Sequence, residues 1–125
     1  MSLPRRSDAP VTPVDVVRHL SELTGELTRR TSALRAAEKD AAVKRHAADM
    51  AESRAFLAAE GPMDLRKHEA RVAADRPEGE ALVAEALVRV LRAEIRELDT
   101  RIDVGRTYSA SVRSELKTLS YQDGA

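Results

Sequence analysis

The sequence predicts an all-α fold: a long antiparallel helical hairpin of the coiled-coil type, with a short middle helix, that oligomerises into a helix bundle. Three observations carry this. Apolar residues recur every seven positions, with a second row three residues later, in both halves of the 125-residue chain. Helix-breaking residues separate those halves at Gly61-Pro62 and again at Pro77-Glu78-Gly79. Charged residues make up 34% of the chain and aromatics 2%, a balance that suits long solvated helices better than a large globular core.

Residues 1–12 read as a disordered tail, because Pro4, Pro10 and Pro13 with polar residues between them neither nucleate a helix nor bury much surface. Arg5 and Arg6 have no apolar stretch behind them, so a secretory or twin-arginine signal is not expected. The first helix is expected over residues 13–60. Thr12-Pro13-Val14-Asp15 supplies a hydroxyl at the N-cap, proline at the first helical position and an acid that can reach back to the Thr12 amide. Leu20, Leu27 and Leu34 lie seven apart, and Ala41, Ala48 and Ala55 continue the row. Leu23, Ala37, Ala51 and Ala58 fill the row three residues later, which Arg30 and Lys44 interrupt. A leucine seam therefore gives way to an alanine seam, which admits a closer backbone and buries less area per residue.

Glu60-Gly61-Pro62 ends that helix. A connector over residues 61–76 is long for a bare turn, so a short helix is expected inside it, with Leu65, His68 or Glu69, and Val72 on one side. The last helix is expected over 77–120, with Pro77 in its first turn and Glu78 and Glu80 facing the positive end of the helix dipole. Val88, Ile95, Ile102, Ser109 and Leu116 form its a row, and Leu91, Leu98, Gly105, Val112 and Leu119 its d row. Gly105 and Ser109 make a small-residue gap, which predicts a close crossing or room for a large side chain from the facing helix. Residues 121–125 read as a second tail.

The expected coiled-coil interface is thus Leu20, Leu27 and Leu34 against Val88, Leu91, Ile95, Leu98, Ile102, Val112 and Leu116. Phe56, Leu57, Leu65, Val72, Leu82, Val83 and Leu87 lie off this seam near the turn. They predict either a small terminal core, with the middle segment folded over the hairpin end, or an oligomer or partner contact. A two-helix hairpin has a thin core, so pairing into a four-helix bundle, a homo-oligomer, is the expected assembly.

Several chemistries find no residues to carry them. No cysteine means no disulfide, no thiolate metal site and no cysteine nucleophile. His19, His46 and His68 make no i, i+3 or i, i+4 histidine pair, so no metal site is expected. Glu94, Glu97, Asp99 and Asp103 alternate with Arg92, Arg96, Arg101 and Arg106, which suits a solvated ion-paired face rather than general acid–base work. There is no glycine-rich phosphate loop. No catalytic residue, cofactor or enzymatic activity is expected. With 21 basic and 21 acidic residues the chain has no net charge to draw it to nucleic acid or to an anionic membrane. No apolar run approaches the length of a membrane span, so a cytoplasmic protein is expected.

The stretches Asp64-Leu65-Arg66-Lys67-His68-Glu69-Ala70, Leu91-Arg92-Ala93-Glu94-Ile95-Arg96 and Arg101-Ile102-Asp103-Val104-Gly105-Arg106-Thr107 resemble small helical proteins encoded by phages of high-GC actinobacteria. The resemblance covers about the second half of the chain and agrees with its Ala/Arg-rich, lysine-poor composition. Such proteins are mostly of unassigned function. The resemblance implies the host cytoplasm or the virion as the setting, and it transfers no catalytic residue. The function expected from all of this is a non-enzymatic coiled-coil interaction protein, an adaptor, assembly factor or inhibitor, that binds itself and an unidentified protein. The runner-up is a nucleic-acid accessory protein in phage replication or recombination.

Overall fold

The structure, a computed structural model, describes residues 12–123. These form three helices, α1 Pro13–Ala58, α2 Met63–Ala73 and α3 Asp75–Asp123. Long α1 packs against long α3 with short α2 between them in sequence, which is the expected helical hairpin. All but Thr12 of the expected N-terminal tail lies outside the described residues, as do Gly124 and Ala125. The C-terminal boundary is corrected: α3 runs on through Tyr121 to Asp123. Nothing between Leu119 and Asp123 breaks a helix, and the next glycine is residue 124.

The helix starts and stops follow from local chemistry. The Thr12 backbone N–H and hydroxyl both donate to Asp15 Oδ2, at 3.2 and 2.8 Å, and the Asp15 N–H donates back to Thr12 Oγ1 at 3.2 Å. This reciprocal cap satisfies donors that the first turn leaves without helical partners. At the other end of α1, Gly61 adopts a φ of +104°, a conformation that side chains resist, and Pro62 then opens α2. Between α2 and α3 the chain barely leaves helical geometry. The Ala74 N–H donates to the Ala70 carbonyl at 3.0 Å, and the Glu78 N–H donates to the Ala74 carbonyl at 2.9 Å. Proline at 77 is accommodated because it sits in the first turn of α3, where its missing N–H has no helical acceptor to lose.

The chain divides into two compact units. One is Thr28–Arg96; the described part of the other is 12–27 with 97–123. In the first unit Ala37, Ala41, Ala84, Val88 and Leu91 form a buried cluster, with Leu34 packed against it. Leu34, Ala37 and Ala41 of α1 run against Leu91, Val88 and Ala84 of α3, so the pairing is antiparallel. Ala48, Ala70, Ala74 and Ala81 are buried as well. The alanine half of the seam is therefore a zone of close backbone approach.

In the second unit Leu23, Leu98 and Ile102 form the core, with Leu27 packed against it, and Val16 is buried. Gly105 lies against Leu20, so the small-residue gap holds a large side chain from the facing helix.

Three seam positions depart from expectation. Ile95 is half-buried. The antiparallel register places Arg30 at its level on α1, and Arg30 reaches Glu94 at 3.1 Å rather than closing a dry core. Leu116 is 49% exposed and Leu119 likewise faces solvent, whereas Val112 is half-buried. The register that sets Gly105 against Leu20 brings α1 to its first residue, Pro13, opposite Val112, so no α1 residue remains to face Leu116. Heptad spacing in α3 alone carries no information about where its partner helix stops.

Candidate interaction surface

In the unit Thr28–Arg96 the two flanks of the hairpin are chemically different. On one flank the e positions of α1 face the e positions of α3. Arg45 donates to Glu78 Oε2 at 2.6 Å and to Glu85 Oε1 at 2.5 Å, and Arg92 donates to Glu38 Oε1 at 3.1 Å. These bonds hold the Arg45 guanidinium protonated more firmly still than an ordinary arginine, through its hydrogen bond to Glu85 first and to Glu78 second. The second flank carries the g and c positions of both helices. Here α1 places Ala36, Val43, Ala47 and Met50, and α3 places Val83, Leu87 and Val90. Val43 is 59%, Val83 72% and Leu87 50% exposed. Spacing of seven along each helix puts these residues in rows, and the ion-paired e flank fixes that both rows lie on the same, opposite side of the hairpin.

The short helix α2 leaves Val43, Val83, Leu87 and Val90 of that second flank exposed. Its Lys67 and Ala70 share a groove with Glu52, Ser53, Phe56 and Leu57, and its Arg71, with Ala74 just after it, shares another with Arg45, Asp49 and Glu52. All of these but Leu57 are b, e and f positions of α1, so α2 lies mostly toward the ion-paired flank.

The orientation of α2 separates the two alternatives left open for its apolar residues. Ala70 and Arg66 turn inward, while Leu65 and Val72 face solvent. Arg66 donates to the Phe56 carbonyl at 3.1 Å, and its guanidinium lies 4.4 Å from the centroid of the Phe56 ring. That carbonyl is one of the last in α1 and has no helical donor, so an arginine that caps it and stacks on the ring takes the inward place. Phe56 is thereby half-buried beneath Arg66.

The residues expected near the turn thus separate. Val83 and Leu87 join the g/c flank, Leu82 lies on the b row of the other side, and Leu57, Leu65 and Val72 surround the closed end. The seam pattern does not single out Val43 and Met50, yet Ala36, Val43, Met50 and Leu57 recur every seven residues, a second apolar row visible in the sequence.

Other chemistry is sparse. His19, His46 and His68 are exposed. Among the described residues no three His, Cys, Asp or Glu side chains gather as a metal site would require, and no helix is long and apolar enough to cross a membrane. Comparison of the chain with family models, with curated proteins and with solved structures gives no match in any of the three.

Proposed function

We propose that the protein is a non-enzymatic interaction protein, an adaptor, assembly factor or inhibitor, whose helical hairpin presents apolar surface to a protein partner and to itself. The observation that carries this is the exposed apolar set at the closed end: Leu57, Leu65 and Val72 lie open to solvent around the turn. Contiguous apolar surface rimmed by charge marks protein contact sites. The reading extends to a phage-encoded protein of the actinobacterial host cytoplasm or of the virion, on the composition and texture of the second half of the chain. Against a nucleic-acid role stands the engagement of arginines on the flanks: Arg30, Arg45, Arg92 and Arg101 each meet a carboxylate within hydrogen-bonding distance.

The test is a photo-activated cross-linking residue at position 65 of the full chain, in the cell that produces it. The expected result is a discrete protein adduct that disappears when Val72→Glu is added. No adduct from position 65, together with a gel shift of nucleic acid that weakens steeply with salt, would replace this reading with the nucleic-acid one.

A further inference from the structure

We infer that the g/c flank of the unit Thr28–Arg96 is the face on which a second copy of this chain docks, making a four-helix bundle from two hairpins. The inference rests on the interaction reading above and commits its lateral face to one occupant.

Three features select that occupant. The first is contrast between the flanks. The e flank is closed by interhelical ion pairs centred on Arg45, and α2 lies toward it, whereas the g/c flank carries Val43, Met50, Val83, Leu87 and Val90 at the surface. Helices with an apolar stripe of this kind bury it against other helices.

The second is charge. Over the span where both long helices lie side by side, 33–50 with 75–92, the g and c rows carry three charges, Asp40, Arg76 and Glu80: Lys44 Nζ lies 3.1 Å from Asp40, and Arg76 Nε lies 3.5 Å from Glu80, while Arg54 of the g row lies beyond that span. The face therefore has its charges compensated before any partner arrives. Laid against its own copy about a two-fold axis, it brings no uncompensated like charges together, which is the condition an isologous interface must meet. A strongly acidic or basic partner would find no complement on it.

The third is size. Residues 33–50 of α1 lie alongside residues 75–92 of α3 and rise about 26 Å, and two adjacent helices are about 20 Å wide, so the face has a footprint of about 500 Å² per copy, or about 1,000 Å² for the pair, the least that a specific interface buries. Ala36 and Ala47 in the α1 rows keep the face shallow enough for two helices to approach two others closely.

The experiment is light scattering after size exclusion on the full chain across a wide concentration range. The expected mass is twice 13.7 kDa. The double variant Val83→Glu/Leu87→Glu halves that mass and keeps its helical circular dichroism, because both side chains are already exposed in the single chain. Leu65→Glu/Val72→Glu, at the closed end, leaves the mass at twice that of one chain. Wild-type protein that stays at the mass of one chain throughout overturns the inference, as does dissociation by the closed-end variant but not by the face variant.

Should the face variant lose its helicity, single cysteines decide, since the chain has none of its own. Leu87→Cys or Val43→Cys is expected to give a covalent dimer with a short bis-maleimide, and Arg92→Cys on the opposite flank is not. The reverse pattern overturns the face. A monomeric result leaves the cross-link from position 65 untouched, so the self-association face and the partner reading fail separately.

Discussion

Leu20 occupies the notch that Gly105 leaves in α3: a Cβ at residue 105 would lie 2.6 Å from Leu20 Cδ2 and 3.5 Å from its Cγ. Glycine in mid-helix sacrifices about 1 kcal/mol of helix propensity relative to alanine. Here that loss is exchanged for room beside the seam. The atom in the way is the far end of a leucine side chain, which can turn, so the two effects oppose each other with similar size. Gly105→Ala is expected to change stability by well under about 1 kcal/mol in the wild-type background, and to stabilise by about 1 kcal/mol once Leu20→Ala has removed the obstruction. Denaturant unfolding of the four proteins in this cycle measures the coupling. Strict additivity would mean that the two residues do not share the notch.

Leu98 and Ile95 both occupy the predicted seam, but they are not equivalent. Leu98 is 5% exposed within the cluster of Leu23 and Ile102, whereas half-buried Ile95 shares its level with Arg30. Leu98→Asp puts an unpaired charge into the core and is expected to exceed the ~2–5 kcal/mol of a leucine truncation, abolishing folding. Ile95→Asp places its carboxylate beside a guanidinium and is expected to lose about 1–2 kcal/mol while remaining helical. Circular dichroism and urea midpoints distinguish the two. Equal effects would show that the Arg30 break in the seam is closed in solution.

The alanine half of the seam predicts sensitivity of the opposite kind. Ala81 is fully buried and Ala48 nearly so. Ala81→Leu forces the helices apart and is expected to destabilise by about 1–3 kcal/mol, although leucine is the more hydrophobic residue. Thermal unfolding is the measurement. A gain in stability would mean that the helices are not in close backbone contact there.

The cap of α1 predicts a pH dependence. Hydrogen bonds from the Thr12 hydroxyl and then from its backbone N–H hold the Asp15 carboxyl below its ordinary value, with Arg18 adding to the effect. A carboxylate whose pKa is lower folded than unfolded contributes stability above its unfolded pKa of about 3.9, and loses it as the pH falls through the folded value. The first turn of α1 is therefore expected to fray in acid below that range. Thr12→Ala removes the hydroxyl, is expected to weaken the cap by about 1 kcal/mol, and returns the Asp15 titration toward that of a free carboxyl. An NMR titration of Asp15 in both proteins reads this directly. An unchanged midpoint in Thr12→Ala would refute the cap.

Local chemistry and periodicity, both written along one chain, account for what was legible beforehand. Thr12 and Asp15 announce the start of α1, Gly61 and Pro62 its end, and the seven-residue rows identify which side of each long helix turns inward. These signals need no knowledge of a neighbour, because capping and amphipathicity act within a few residues. Three things had no such signal. Leu116 reads as seam, but its burial depends on how far α1 extends alongside it. Leu65 and Val72 read either as part of a terminal core or as a contact surface, and they stand exposed because Arg66, bonded to the Phe56 carbonyl across the turn, takes the inward place. The flank shared by Val43 and Met50 with Val83 and Leu87 exists because the antiparallel pairing sets Arg45 against Glu78 and Glu85 on the other side. Periodicity thus dictated helices and their inward rows, whereas the pairing register, a relation between distant segments, decided which apolar residues were left at the surface together.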